Sequence, residues 1–349
     1  MKKDQVWKKI FAVLLIVSLL ALAGCGNGGE AVDEDGSTDV EETINIIVSH
    51  NHPEDSPEHI GMAAFKDLVE EKTDGRVHVD IYTNLSLGSM REQAEATQGG
   101  TIQITQQPTA VLSTFVSAYE LVDFPFLWPD ADTAFEVLDG KVGAEISAAA
   151  EKEGFVNLGW MLAGFKKFTA DKPIRTAADL KGMQIRVMPA PLLNAQMEAW
   201  DAKPTPIEFG ELYNALQQRV VNGQENPIKT IYLSRYFEVQ DYLTLSDHGL
   251  LAYAIVANKD WFEALPEDIQ AAIREATLES CVIEREALAA VENEMLEEME
   301  EYGMEIITPT PEAIAEFREL VLPVHEEFAD RVGRSLLETT YAEIEAATK

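Results

Sequence analysis

Three β-branched runs separated by helical patterns constrain this chain more than any other feature. Residues 43–50 read TINIIVSH, a strand. Residues 76–82, RVHVDIY, set Val77, Val79 and Ile81 against His78, Asp80 and Tyr82, the period-two alternation of a half-buried strand, and TIQITQQ at 101–107 is a third. Between the first two, Ser56-Pro57-Glu58 supplies an N-cap serine with proline at the first helical position, and Ile60, Ala64 and Leu68 follow at helical spacing until Gly75. SMREQAEATQGG is a shorter helix closed by glycines. A βαβαβ order predicts a parallel sheet with helical crossovers, hence an α/β lobe with ligand positions at the carboxyl ends of its strands.

The theme then repeats. GFVNLGWMLAGFKKFTA, TAADLKG and the strand MQIRVMP lead to a helix from Pro191 to Trp200, then to KPTPIEF and GELYNALQQRVVNG, a helix with Leu212, Leu216 and Val220 in line and Gly223 as its stop. About 300 folded residues exceed what one core usually holds, so two lobes are expected. From Pro266 to Gly303 runs a helical pattern with few breakers and many glutamates. At ~1.5 Å per residue it spans roughly 50 Å, enough to brace both lobes.

The N-terminus has a basic head (Lys2, Lys3, Lys8, Lys9), an apolar run from Ile10 to Ala23 and small residues ending at Cys25. That run falls short of the ~20 residues a membrane-spanning helix needs, so it reads as a secretory signal over 1–24. Leu22-Ala23-Gly24-Cys25 resembles the lipobox of bacterial lipoproteins, in which the cysteine is lipidated, and the acidic stretch that follows, residues 25–42, reads as a flexible tether. The protein is then expected outside the cytoplasm, held to the membrane by lipid on Cys25. Only Cys281 remains, so no intramolecular disulfide can form, and its helical setting suggests a small buried apolar residue. A formal net charge of −34 argues against nucleic acid and anionic lipid surfaces as partners. An anionic ligand must instead be held by nearby cations, the distant field being screened over ~8 Å at physiological salt.

His50, His52 and His59 lie close together in SHNHPEDSPEH, but neither a CxxC pair nor an HExxH pattern accompanies them. A strand-end loop lining a pocket is therefore expected rather than a metal site. No nucleophile elbow, phosphate loop or triad signature is present, so neither enzymatic activity nor a cofactor is expected. Arg186 sits inside MQIRVMP, where a guanidinium must be paired. Two readings stay open: a structural pair with Glu211 or Glu225, or a fork gripping a ligand carboxylate through two parallel hydrogen bonds. Lys166 and Lys167 are a rare positive pair in an acidic chain, usually read as solvated charges.

PEDSPEH…FKDLVEEKTDGRVHVDIY, LVDFPFLW, GFKKFTADKPIRTAADLKGMQIRVMP, FGELYNALQQRVVNGQENP, YFEVQDYLTLSDHG and LPEDIQ resemble, in order and spacing, the solute-binding proteins of tripartite ATP-independent periplasmic (TRAP) transporters, over Thr43 to about Arg334. The resemblance implies a two-lobed, type II-style periplasmic-binding-protein fold with hinge strands and a long helix spanning both lobes. It divides the chain into lobe I at 43–163 and 252–291, lobe II at 164–251 and 292–335, and a C-terminal helix or tail at 336–349. It further implies capture of an organic acid for small and large membrane permease subunits. The family's carboxylate-gripping arginine falls on Arg186 and its ligand-contacting asparagine on Asn226, in the polar stretch VNGQENP. Lys166, where many relatives carry a second arginine, and Asn222 tilt the expectation toward a C4-dicarboxylate such as succinate, malate or fumarate. Asn51 matches a sugar-acid type and pulls the other way; Tyr213, Arg91, His50 and Gln107 are further pocket candidates. A keto acid, the binding component of an ATP-driven importer and a secreted enzyme are the remaining alternatives.

Overall fold

The computed structural model describes residues 43–349; the leader, Cys25 and the tether lie outside the described residues. Among the described residues, eleven strands form two sheets. The first has the order β2 (Val77–Tyr82), β1 (Ile44–Ser49), β3 (Ile104–Pro108), β10 (Leu250–Asn258), β4 (Phe155–Phe165). The second runs β11 (Glu305–Ile307), β9 (Tyr242–Thr244), β5 (Lys167–Ala170), β8 (Gly223–Asn226), β6 (Gln184–Val187), β7 (Lys203–Pro206). As the βαβαβ pattern predicts, β1 pairs in parallel with both β2 and β3. The sheet is nonetheless mixed, because β10 pairs antiparallel with both β3 and β4. No helical crossover links β4 to β10: the chain leaves for the second sheet after Phe165 and returns at Leu250, so the rule that makes βαβ neighbours parallel does not act on them.

The predicted helix starts are built by local chemistry. Ser56 Oγ accepts the His59 amide at the head of α1 (Pro57–Lys72), which buries Met62, Phe65 and Val69 against the first sheet. At the head of α2 (Met90–Gln98), Ser89 and Glu92 form a reciprocal capping box. Lobe II carries α3 (Pro191–Ala199), α4 (Leu212–Gln217) and α5 (Ile228–Leu233).

The long helix α6 covers Glu267–Tyr302, 36 residues, with Pro266 before it and Gly303 at φ +120° after it. At ~1.5 Å per residue it is about 54 Å long. Ile269, Ile273, Ala276 and Cys281 sit in the larger core, which holds most of the first sheet together with Phe168, Ile185, Val187 and Trp200 of the second lobe. Met295 and Met299 sit in a separate core with Leu212, Leu216, Ile231, Tyr236 and Leu243. One helix therefore supplies two cores. Burial pushes the Cys281 thiol up to about 12, in keeping with an apolar role.

Gly223 leaves no room for a side chain: a Cβ there would lie 2.2 Å from the Thr169 carbonyl oxygen of the neighbouring strand. Gly223→Ala must spread β5 from β8, so urea unfolding is expected to show a loss of about 1–3 kcal/mol. An unchanged midpoint would mean that the sheet accommodates the methyl group.

Candidate ligand-binding site

The site follows from the pleat of the second sheet. Arg186 is registered beside Gln224, and Gln224 beside Thr169, so these three share one face. Asn226, two residues beyond Gln224, shares it too. A hydrogen-bond chain runs along this face: Asn226 Nδ2 donates to Gln224 Oε1, Gln224 Nε2 donates to Thr169 Oγ1 at 3.0 Å, and Thr169 Oγ1 donates to Gln240 Oε1 at 3.2 Å. Arg186 is 1% exposed; its Nε donates to the Ile207 carbonyl at 2.9 Å, and its Nη2 has no partner. Burial lowers its pKa, opposed by the phenols of Tyr236 and Tyr253 and the carboxylates of Glu225 and Glu208, none of which pairs with it. A guanidinium stays charged through such a shift.

The opposite face explains why Glu225 is not the partner. Glu225 is registered beside Phe168 and points away from Arg186. There it accepts from Lys166 Nζ at 3.2 Å and from Gln196 Nε2 at 2.8 Å, and His248 Nε2 lies 2.7 Å away, with the His248 ring stacked on Phe168 at 4.2 Å. Burial alone would push the Glu225 carboxyl up, but Lys166 and His248 outweigh it and bring it down to about 2. The structural reading of Arg186 paired with Glu211 or Glu225 is thereby displaced. Lys166 is redirected as well: it is buried between Glu225 and Asp123 Oδ1, the latter at 3.6 Å, on the far side of the sheet from Arg186. Strand alternation decides both outcomes. Of the buried cations Lys166, Lys167, Arg186 and Lys229, only Arg186 lacks a carboxylate: Lys167 pairs with Asp247 at 2.8 Å and Lys229 with Glu58.

A pocket of about 240 Å³ is lined by Asn51, His52, Asn84, Phe209, Lys229, Thr230 and Tyr253, among others. Arg186 does not line it, but Tyr253, in the pocket wall, lies within the reach of its charge. The expected residues distribute unevenly. Asn51 lines the pocket. His50 is buried behind it, with Nε2 3.2 Å from His59 Nδ1, Nδ1 accepting the His52 amide, and burial holding its pKa down at about 3. Gln107 is buried and donates to Gln93 and Thr105. Arg91 is half-exposed, bonded to Glu95 at 2.9 Å. Tyr213 donates to Glu238 at 2.9 Å. None of these four lines the pocket.

Residues 48–331 match the family model described as bacterial extracellular solute-binding protein, family 7. The chain belongs to this family. It is 34% identical over 310 residues to the C4-dicarboxylate-binding periplasmic protein DctP of Rhodobacter capsulatus, covering 88% of this chain and 92% of the relative. It is 31% identical to the 2,3-diketo-L-gulonate-binding periplasmic protein YiaO of Escherichia coli, covering 72% of this chain and 77% of that one. Among solved structures, a TRAP periplasmic solute-binding protein of Shewanella oneidensis with bound succinate superposes with a TM-score of 0.83 at 29% identity, covering 86% of this chain and 99% of that one. The sugar-acid-binding protein DctPAm of Advenella mimigardefordensis with galactonate gives 0.84 at 28% identity, covering 88% and 99%.

In this TRAP solute-binding protein, the strand-end loop expected to line a pocket does so through Asn51 and His52, whereas Asn84, Phe209, Lys229, Thr230 and Tyr253 escaped the sequence reading. Thr230 lies in a six-residue helix and Tyr253 inside β10, buried along its whole length, where no periodicity reports side-chain direction. Behind the pocket, Glu58 of α1 pairs with Lys229 of α5, and Glu284 of α6 accepts the Leu162 amide at 3.0 Å. Burial, reinforced by Glu58, pushes Glu284 up to about 8 from an ordinary 4.5. The folded protein thus keeps a proton there that the unfolded chain has released, so the stabilisation is complete below about pH 4.5 and is lost as pH rises through 8. Glu284→Gln keeps the shape without the charge. Its urea midpoint is expected to track wild type near pH 5 and to exceed it by about 1 kcal/mol or more at pH 8.5. A gap that does not widen with pH would refute the retained proton.

Proposed function

We propose that the protein captures an organic-acid anion outside the cytoplasm, holds its carboxylate on Arg186, and delivers it chemically unchanged to the small and large permease subunits of a TRAP transporter. The observation that carries this is the buried Arg186 Nη2, with no partner beside a row of amides, while the other buried lysines and arginines among the described residues are ion-paired. Such a group is unfavourable until an anion arrives. A micromolar complex needs about −8 kcal/mol, and hydrogen bonds to charged groups contribute roughly 1.5–3 each, so a few contacts suffice. Bound succinate and galactonate in the similar structures support the class.

Within that class, the C4-dicarboxylate reading draws support from the Rhodobacter relative. Its two supports in the sequence point to scaffolding instead: Lys166 is ion-paired, and Asn222 bridges the Gln184 amide and Asp171. A sugar acid is the second reading, favoured by Asn51 in the pocket wall with its Oδ1 unpaired. Mass spectrometry of small molecules released from the purified protein, with calorimetry on succinate, malate, gluconate and glucuronate, tests the proposal. Release of an organic acid is expected. If none is released and none of the four binds, the proposal fails. Lipid attachment at Cys25 belongs to the same proposal: Cys25→Ser should release the protein from the membrane fraction, and continued membrane retention would contradict the anchor.

A further inference from the structure

One wall of the pocket gathers buried polar atoms that the protein itself leaves unsatisfied. Asn51 Oδ1, His52 Nε2 and Thr230 Oγ1 have no hydrogen-bond partner, all three residues are buried, and all three line the pocket. An unpaired buried polar atom costs about 1–3 kcal/mol, which a ligand group of the right kind would recover.

The kind can be worked out atom by atom. Asn51 Oδ1 is a carbonyl oxygen and can only accept. The His52 ring is kept neutral by burial and by the charge on Lys229. Its Nδ1 lies 3.8 Å from Glu58 Oε2, too far for a hydrogen bond but near enough to draw the ring proton to Nδ1. Nε2 is then an acceptor. Glu58 Oε2 is itself unpartnered, and Lys229, the cation in this wall, is already engaged by Glu58. The wall therefore offers acceptors and one hydroxyl, with no free positive charge.

We infer that Asn51, His52 and Thr230 form a hydroxyl-recognising subsite that sets specificity: it accepts hydrogen bonds from hydroxyl groups of an acid whose carboxylate rests on Arg186, and it turns away a second carboxylate. This rests on the organic-acid reading above and narrows it to polyhydroxy monoacids of the aldonate type. A second carboxylate carries acceptors only, and here it would meet two further acceptors and Glu58. A terminal CH2OH supplies the missing donor.

Two pairs of acids isolate that end of the ligand: erythronate against meso-tartrate, and gluconate against glucarate, which differ only by CH2OH in place of the far carboxylate. Calorimetry on the full folded protein, with succinate as a fifth probe, is expected to show at least one monoacid binding tenfold or more tightly than its diacid counterpart. Thr230→Val and His52→Leu should each weaken that monoacid by tenfold or more, with melting temperatures confirming that both variants fold. If succinate or either diacid binds as tightly as the monoacids, the subsite is overturned and the Arg186 reading stands. If none of the five binds, both fall. Unchanged monoacid affinity in both folded variants overturns the role of these side chains even where the monoacid preference holds.

Discussion

Arg186→Ala is expected to weaken binding of whichever organic acid the wild-type protein takes by more than ~100-fold, about 3 kcal/mol or more, because it leaves a desolvated carboxylate without its counter-charge. Calorimetry on succinate, malate and gluconate reads the change directly; less than a threefold loss would remove Arg186 from the role. A companion effect separates this arginine from a structural one. Its Nη2 is buried without a partner, so in the ligand-free protein the charge is a liability. Arg186→Met should abolish binding and yet leave the ligand-free melting temperature unchanged or higher, the trade-off expected where a site is kept strained for its ligand. A sharp fall in that temperature would point instead to a scaffold role. Arg186→Lys keeps the charge but loses the planar fork, and should recover only part of the affinity.

The second large effect lies on the other face of the same sheet. Glu225→Leu leaves Lys166 buried beside Asp123 alone and removes the acceptor for Gln196 and His248. Breaking such a pair from one side typically costs about 3–5 kcal/mol, and a loss of that size is expected in urea unfolding. The double variant Glu225→Leu/Lys166→Met replaces both charges by apolar groups and should regain most of it. Failure of the double variant to recover would mean that the contacts to His248 and Gln196, rather than the ion pair, hold the region together. The pH sense follows from the depressed carboxyl: with Glu225 lowered from 4.5 to about 2, its contribution is complete above 4.5 and is lost as pH falls through 2.

Much of this was legible before any coordinates. Period-two alternation located the strand carrying Arg186, an N-cap serine located α1, closing glycines located α2, and the breaker-free run from Pro266 to Gly303 located the long helix, because each signal is local. What stayed open was cross-strand register. Glu225 and Gln224 are adjacent in sequence, and which of them shares a face with Arg186 depends on how β6 and β8 align, which no local pattern reports. The same ignorance made Lys166 look like a ligand contact. The antiparallel insertion of β10 was hidden for a related reason, since it returns from the other sheet instead of through a crossover. Thr230 was missed because a helix of six residues gives no reliable side-chain direction.

The division of β8 has an evolutionary consequence. Odd and even positions along four residues answer to different demands: Gln224 and Asn226 share the face of Arg186, and Glu225 faces the ion-pair cluster on the other side. A mutation that alters the first pair can shift what is carried without loosening the ion-pair cluster beneath it. Such separation would let one architecture diversify among metabolites while its folding requirements stay nearly constant.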